Sequence, residues 1–440
     1  MRVLRPAVHQ HKFGGQLTPT QTTDLAQSVN RDEEPLHARD LHVEVPLGEV
    51  LAKEGKLVIR IVTHALKRIG ITARDKEVKR PTCVVVLAAG EGTRMRSARP
   101  KPLHQLCGRA MVRYVLDAAA HDDVRATIVV VGHHGTWVEK ELSEGASARR
   151  PLTFVEQREQ LGTGHAVSVA LGAIDEAIGD TDGDVLIVPG DAPLLKASSV
   201  AQLLEVHRER QSALTVLSAR LVDPTGYGRV IHAKDGTLER IVEERDARES
   251  ERAINEVNTS IMVVRQSLLG PALRRIGRHN AQQEYYLTDL VQELHDMGHV
   301  VASWQLEDAN EALGINDRRQ LAQAERVLRA RINERWMSRG VTMWDPSQTY
   351  VDADVELAPE VTLLPGTILT GHCVIARGAT IGPNAYLSDT EVGEGATLAT
   401  VEATHARVGA DANVGSFVVL APGAEVSTGE IVAPFSHRSH

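Results

Sequence analysis

Along this chain the spacing of apolar residues changes character several times. Residues 1 to about 46 are rich in Gln, Thr, His, Asp and Glu with little apolar periodicity, which predicts a mobile tail without a fold of its own. Between Leu57 and Gly70, Val58, Ile61, Val62, Ala65, Leu66 and Ile69 fall at helical spacing, while Arg60, Lys67 and Arg68 take the other face. One amphipathic helix is expected there, docked on its own protein in preference to a partner or an anionic membrane surface. From Thr82 to about Arg319 short β-branched runs alternate with helical stretches, the pattern of a parallel sheet covered on both faces. Its strands include Cys83–Leu87, Ala126–Val131 and Asp184–Val188, each followed by Gly or Pro. Ligands of such sheets gather at the carboxyl ends of the strands, so candidate chemistry is sought there.

After Asn316 a helix with Leu321, Ala324, Leu328 and Ile332 on one side runs to a stop near Gly340 and is read as a connector. Beyond it Val351, Leu357, Leu363, Leu369, Ile375, Ile381 and Leu387 recur at intervals of six. After a slipped register Val392, Leu398, Val408, Val414, Leu420 and Val426 continue the series. A hexapeptide period with small residues between the aliphatic ones suits a triangular solenoid, one coil per three repeats, and an ordinary β-sandwich would not hold so strict a period. The expected fold is therefore α/β and Rossmann-like, followed by a short left-handed parallel β-helix. The expected divisions are residues 1–80 (extension), 81–318 (α/β domain), 319–340 (connector) and 341–436 (β-helix).

Composition narrows the classes. With 440 residues, 42% apolar and 24% charged, the chain matches a soluble protein of two or three domains. No apolar run reaches the roughly 18 residues of a bilayer span. No secretory leader is evident, and Cys83, Cys107 and Cys373 form no CxxC pair, so a cytoplasmic protein is expected. A net charge of −9 argues against wholesale nucleic-acid binding and confines phosphate chemistry to a local pocket.

Such a pocket is announced by the strand Cys83–Leu87 running into Ala88-Ala89-Gly90-Glu91-Gly92-Thr93-Arg94, with Pro100-Lys101 close behind. Gly90 and Gly92 permit backbone conformations that expose N–H groups to an anion, and Arg94 and Lys101 add charge where a triphosphate would lie. The loop is neither a Walker A motif nor a dinucleotide fingerprint. The run LAAGEGTRMRSARPKPLHQLCGRAM (87–111) resembles the signature of the sugar-nucleotide pyrophosphorylases. Its Leu-His after the lysine resembles in particular the bacterial bifunctional N-acetylglucosamine-1-phosphate uridylyltransferase/glucosamine-1-phosphate acetyltransferases. The resemblance continues in order through EQREQLGTGHAV (156–167), PGDAPLL (189–195), PTGYGRV (224–230), RIVEERDA (240–247), INEVNTS (254–260), QEYYLTD (283–289) and GIND (314–317).

What this resemblance implies is a GT-A-like nucleotidyltransferase domain that joins UTP to N-acetylglucosamine 1-phosphate and releases pyrophosphate with the help of Mg2+. Leu87, Ala88 and Gly90 of the signature fall to UTP. Gln157 carries an amide that both donates and accepts, as the edge of uracil requires, and Gly162 and Thr163 let the backbone approach the base. Asp191, at the end of an apolar strand, sits where a magnesium ion would meet triphosphate oxygens. The resemblance supplies Asn316 as a second ligand, against the competing reading that Asn316 caps the following helix. It also points to Gly228, Glu243, Asn258, Tyr286 and Thr288 for the sugar phosphate, while Arg94 and Lys101 are the expected catalytic cations. His133-His134 lack further ligands at metal spacing, and a zinc site is set aside.

The sequence departs from the family pattern in places. Only about four coils of β-helix are expected, and Val419 and Ala421 stand where basic residues belong to a sugar-phosphate motif, so no acetyltransferase activity is expected. Ser260 and Gln283 replace glycines flanking the proposed sugar pocket, and Glu91 brings a negative charge near the phosphates. The first 80 residues have no counterpart and are read as a regulatory tail or an overextended gene start. Assembly into homotrimers through the β-helix is what the resemblance implies. The alternatives are a pyrophosphorylase for another nucleotide or hexose 1-phosphate, and a non-catalytic regulatory paralogue. Retention of Arg94, Lys101, Asp191 and Asn316 together speaks against the second.

Overall fold

A computed structural model describes residues 80–144 and 152–439; the expected tail and the amphipathic helix at 57–70 lie outside the described residues. Within the α/β part the strands are β1 (Thr82–Ala88), the small hairpin β2 (Gln105–Leu106) and β3 (Arg109–Ala110), β4 (Val124–Val131), β5 (Leu152–Glu156) and β6 (Asp184–Pro189). They continue with β7 (Leu214–Arg220), β8 (Arg229–His232), β9 (Leu238–Val242), β10 (Glu256–Arg265) and β11 (Val301–Gln305). The main sheet runs β11-β7-β10-β6-β1-β4-β5, with the β8–β9 hairpin attached to β10. Its central strands read as unbroken apolar runs because helices cover both faces. Cys83 to Val86 and Val185 to Val188 are fully buried, packed on one side against Thr163–Ile178 and on the other against Met111–Ala119 and Ala197–Glu209.

The sheet is mixed, which corrects the expectation of a parallel one. β10 runs antiparallel to both neighbours, β6 and β7. The connection from β7 to β10 holds a hairpin instead of a crossover helix, so the chain re-enters the sheet from the end at which it left. That reversal carries the β8–β9 hairpin over the carboxyl ends of the parallel strands and brings Gly228 and Glu243 to the cleft.

The helix Arg318–Met337 buries Ala324, Leu328, Ile332 and Trp336 in a core shared with Leu106, Met111 and Leu194 on one side and the first coils of the solenoid on the other. Asn333 donates to the carbonyls of Pro346 and Thr349 at 2.9 and 3.0 Å, and the Ala353 N–H donates to the Cys107 carbonyl at 3.0 Å.

Beyond Thr342 short strands stack into three parallel sheets of six, six and five strands, a left-handed parallel β-helix. This is five full turns and two strands more, against the four expected, because coils also form around Met343 before the recognised series and Val432 after it. Every aliphatic position of the repeat from Val351 to Val426 points inward and is buried. The register slips at three steps of five residues, from Leu387 to Val392 and then into and out of Ala403, which fills the inward site between Leu398 and Val408. An alanine in an aliphatic ladder carries too weak a signal to be counted from sequence.

Candidate active site

The cleft lies at the carboxyl ends of β1 and β6. The Gly190 N–H donates to the Leu87 carbonyl at 2.9 Å, which ties the two strand ends together and places Asp191 beside the β1 loop. A cavity of about 550 Å3 opens there, lined among others by Leu87, Ala88, Gly90, Lys101, Gln157, Gly162, Thr163, Asp191, Gly228, Glu243, Asn258 and Asn316. An adjoining cavity of about 600 Å3 adds Arg94, Tyr286 and Thr288 and shares Leu87, Thr163, Gly226, Glu243, Ser260 and Glu284 with the first. All fifteen residues singled out from sequence therefore border one continuous cleft.

Its cationic corner is built from distant segments. Gly92 has φ 63°, and a Cβ there would lie 2.6 Å from Lys101 Cβ, so the loop folds onto the lysine only with glycine at this position. Lys101 Nζ donates to the Asp191 carboxylate and, at 2.9 Å, to Asn316 Oδ1. Arg94 Nη2 donates to the same Asn316 oxygen at 2.9 Å. The cap of the following helix is Asp317, whose carboxylate accepts from the N–H groups of Arg319 and Gln320. Asn316 is thus free of the capping role and turns its carbonyl oxygen toward the cations. Two hard oxygens, one of them charged, converge on a single ammonium group. This donor set suits a magnesium ion that keeps most of its shell for water and phosphate. Among the described residues no group of three or more His, Cys, Asp or Glu side chains is arranged to hold a metal, and His133 and His134 are exposed in the loop after β4.

Gln157 is 3% exposed, so its amide is part of the protein interior at the cleft and not a solvated surface group. Its Nε2 lies 3.1 Å from the Gly162 carbonyl oxygen and 3.1 Å from His165 Nδ1, so both amide protons are engaged and Oε1 is left for a ligand. Gly162 has φ 105°, and a Cβ there would fall 2.6 Å from the Tyr285 carbonyl oxygen. That carbonyl accepts from the Gly164 N–H, the Tyr285 N–H donates to the Leu161 carbonyl, and Thr163 Oγ1 accepts from the Leu287 N–H at 3.0 Å. The loop around residues 161–164 is clamped to the segment that carries Tyr286 and Thr288.

On that segment Thr288 Oγ1 donates to Glu243 Oε1 at 3.0 Å. Burial raises the Glu243 pKa, against the lowering effect of the Thr288 hydrogen bond, and the nearby Asp246 charge adds to the rise. Asp289 is pushed up to about 6, mainly by burial and then by the charges of Glu243 and Asp246. Tyr286 donates to Asp246 Oδ2 at 3.3 Å, and burial followed by the Asp246 charge raises its phenol. The Asn258 N–H donates to the Gly228 carbonyl, fixing that amide against the hairpin.

Several residues at the site escaped sequence reading. Gln160, Tyr227 and Glu284 line the cavity, and Asp246 anchors both Tyr286 and the Ala281 N–H. Each stands inside a motif quoted above. Only the fold shows which residue of each motif turns inward.

A phosphate-scale cationic corner and an amide-bearing base pocket at the strand ends of a Rossmann-like sheet define a nucleotidyltransferase. Residues 84–260 match the MobA-like NTP transferase domain. The chain is 41% identical over 351 residues to the bifunctional protein GlmU of Brevibacillus brevis, covering 80% of this chain and 74% of that protein. It is 44% identical over 345 residues to that of Streptomyces avermitilis (78% and 70%) and 43% over 330 residues to that of Thermobifida fusca (75% and 68%). The chain belongs to the GlmU family.

Proposed function

We propose that this enzyme joins UTP to N-acetylglucosamine 1-phosphate, giving UDP-N-acetylglucosamine, a precursor of cell-wall polymers, and pyrophosphate. The observation that carries the reading is the set of groups brought to one cleft: the Gln157 amide beside Gly162, the Lys101, Arg94, Asp191 and Asn316 cluster, and Glu243, Asn258, Tyr286 and Thr288. With both protons of the Gln157 amide engaged, its carbonyl accepts the N3–H of uracil, whereas cytosine presents a bare nitrogen there. Sugar hydroxyls and the N-acetyl group meet the Glu243 carboxylate, the Asn258 amide and the hydroxyls of Tyr286 and Thr288, and a sugar lacking those groups leaves them unpaired.

In the reaction a phosphate oxygen of the sugar 1-phosphate attacks the α-phosphorus in line. The bond from the α-phosphorus to the bridging oxygen breaks, and pyrophosphate departs with the electron pair. Arg94 and Lys101 meet the charge gathering on that leaving group. The attacking phosphate is already anionic near neutral pH, so positioning in place of a general base carries the rate. Asp191 and Asn316 would hold a magnesium ion, whose chemistry at that point is to neutralise charge on phosphate oxygens. Lys101 would then exchange its carboxylate partner for phosphate.

The cytoplasm, where UTP is made, is the expected site of action. No helix among the described residues is long and apolar enough to cross a membrane, and all three cysteines are buried and free. Tyr350, Ile368, Tyr386, Glu402 and Val419 form an outward row on one face of the β-helix, largely apolar with one charge, a surface suited to homotrimer contact. No acetyl transfer is expected from the face carrying Val419 and Ala421.

A panel of UTP, CTP, dTTP and GTP against N-acetylglucosamine 1-phosphate and glucose 1-phosphate tests the reading by pyrophosphate release. Turnover is expected with UTP and the N-acetylated sugar. Preference for another nucleotide would overturn the base assignment. Preference for another sugar would redirect it to a different pyrophosphorylase.

A further inference from the structure

Ser260 is the one exposed residue of β10 and sits in a bulge, since Asn258 pairs with Ser218 and Ile261 with Leu217, leaving Thr259 and Ser260 without strand partners. Its φ is 62°, in the left-handed region where a side chain is strained and glycine is not. Thr259 explains itself, because its hydroxyl donates to the Leu217 carbonyl at 2.7 Å and so stitches the bulge to the sheet. Ser260 has no such structural role for its side chain. Its hydroxyl makes no hydrogen bond among the described residues, and it lines both halves of the cleft next to Glu243, Gly226 and Glu284. Its backbone N–H donates to Asn258 Oδ1 at 3.1 Å, which ties the Asn258 side chain to the bulge and leaves its amide nitrogen without a protein acceptor among the described residues.

A strained residue that keeps a free hydroxyl over a ligand cavity points to use of the hydroxyl, because glycine would form the same bulge without strain. We propose that Ser260 is a specificity-determining residue for the sugar 1-phosphate, its Oγ hydrogen-bonding a polar ring substituent beside Asn258 Nδ2 and opposite Glu243. The inference rests on the uridylyltransferase reading and deepens it at the sugar half of the site. Ser260 makes the pocket a donor pair facing an acceptor, which matches a sugar carrying both an amide and free hydroxyls.

Two variants separate the hydroxyl from the strain. Ser260→Ala removes the hydroxyl and keeps the strain, whereas Ser260→Gly removes both. For Ser260→Ala the KM for N-acetylglucosamine 1-phosphate is expected to rise roughly fivefold, the yield of one neutral hydrogen bond, with the KM for UTP unchanged and discrimination against glucose 1-phosphate reduced. Ser260→Gly should show the same kinetic loss together with a higher Tm, and the Tm of Ser260→Ala should stay at the parent value. A sugar KM within about twofold of the parent in Ser260→Ala, or equal rises in both KM values, overturns the proposal. Absence of turnover by the parent with every nucleotide and sugar phosphate would overturn the uridylyltransferase reading, and this assignment with it. Normal turnover by an unaffected variant overturns the Ser260 assignment alone.

Discussion

Glu243 offers the sharpest lever on the sugar half of the site. Its side chain is half-buried, its carboxylate holds the Thr288 hydroxyl at 3.0 Å, and it has no basic partner at hydrogen-bond distance among the described residues. Glu243→Ala removes an ionised acceptor and leaves Thr288 Oγ1 unpaired. Hydrogen bonds to charged groups are worth about 1.5–3 kcal/mol, so kcat/KM for the sugar 1-phosphate should fall roughly 10- to 150-fold. The loss should appear in the sugar KM, with the KM for UTP little changed. Glu243→Gln keeps the shape and one acceptor oxygen and should fall between. The pH profile adds a second signature. Because the folded-state pKa of Glu243 is raised, the carboxylate takes up a proton as pH falls through that raised value and ceases to be a charged acceptor. Asp289, at about 6, titrates beside it, and Asp246 is the other carboxylate facing the pair. Sugar kcat/KM in the parent should therefore drop on the acid side, and the Gln variant should have a shallower limb. The sugar phosphate titrates in both proteins, so the difference between the two profiles isolates the carboxylate. Steady-state pyrophosphate release from pH 5 to 8 measures all of this. A Glu243→Ala protein with parental sugar KM, or identical pH limbs in the parent and Glu243→Gln, would refute the reasoning.

Asp289→Asn should raise Tm at pH 8, keep about half of that advantage at pH 5 and lose it toward pH 4. A carboxyl whose folded pKa is lifted from 3.8 to about 6 costs stability that grows as pH rises through that window, up to about 3 kcal/mol above it; a constant Tm difference would contradict this. Gly162→Ala should raise the KM for UTP and lower Tm, since the new methyl meets the Tyr285 carbonyl in a backbone conformation hostile to side chains. Unchanged kinetics and Tm would argue that the loop moves freely. Leu387→Ala, in the fully buried ladder of the β-helix, should cost about 2–5 kcal/mol by denaturant unfolding of that part. A loss under about 0.5 kcal/mol would deny the ladder its role in stability.

The sequence was most legible where one periodicity dominated. The unbroken run Cys83–Val86 needed two covered faces, and the six-residue aliphatic ladder left no other packing than a stacked solenoid. The antiparallel entry of β10 was hidden because strand direction depends on how the connection from β7 packs, and the β8–β9 hairpin there has short, half-polar strands. Asn316 and Asp317 illustrate the limit at the site. Either side chain can cap a helix, and only the three-dimensional approach of Lys101 and Arg94 separates the cap from the ligand. The neighbouring glycines pointed Gln157 at uracil from sequence, and the fold of residues 161–164 adds that its amide is buried and which of its atoms is left open. Asp246 makes a contact with Tyr286, 40 residues away, that no local pattern encodes. The family resemblance carried the sugar-wall residues, for which spacing alone gave no signal.

The central claim is that one cleft transfers a uridylyl group with Asp191 and Asn316 holding the metal. Its most direct test is pyrophosphate release by the full chain from UTP and N-acetylglucosamine 1-phosphate, matched to UDP-sugar formed, with magnesium, with chelator, and in Asp191→Ala. The account predicts equal amounts of the two products with magnesium, loss with chelator restored by added Mg2+, and a loss of roughly 100-fold or more in the variant. Parental rates in Asp191→Ala, or no pyrophosphate from the parent with magnesium present, would contradict it.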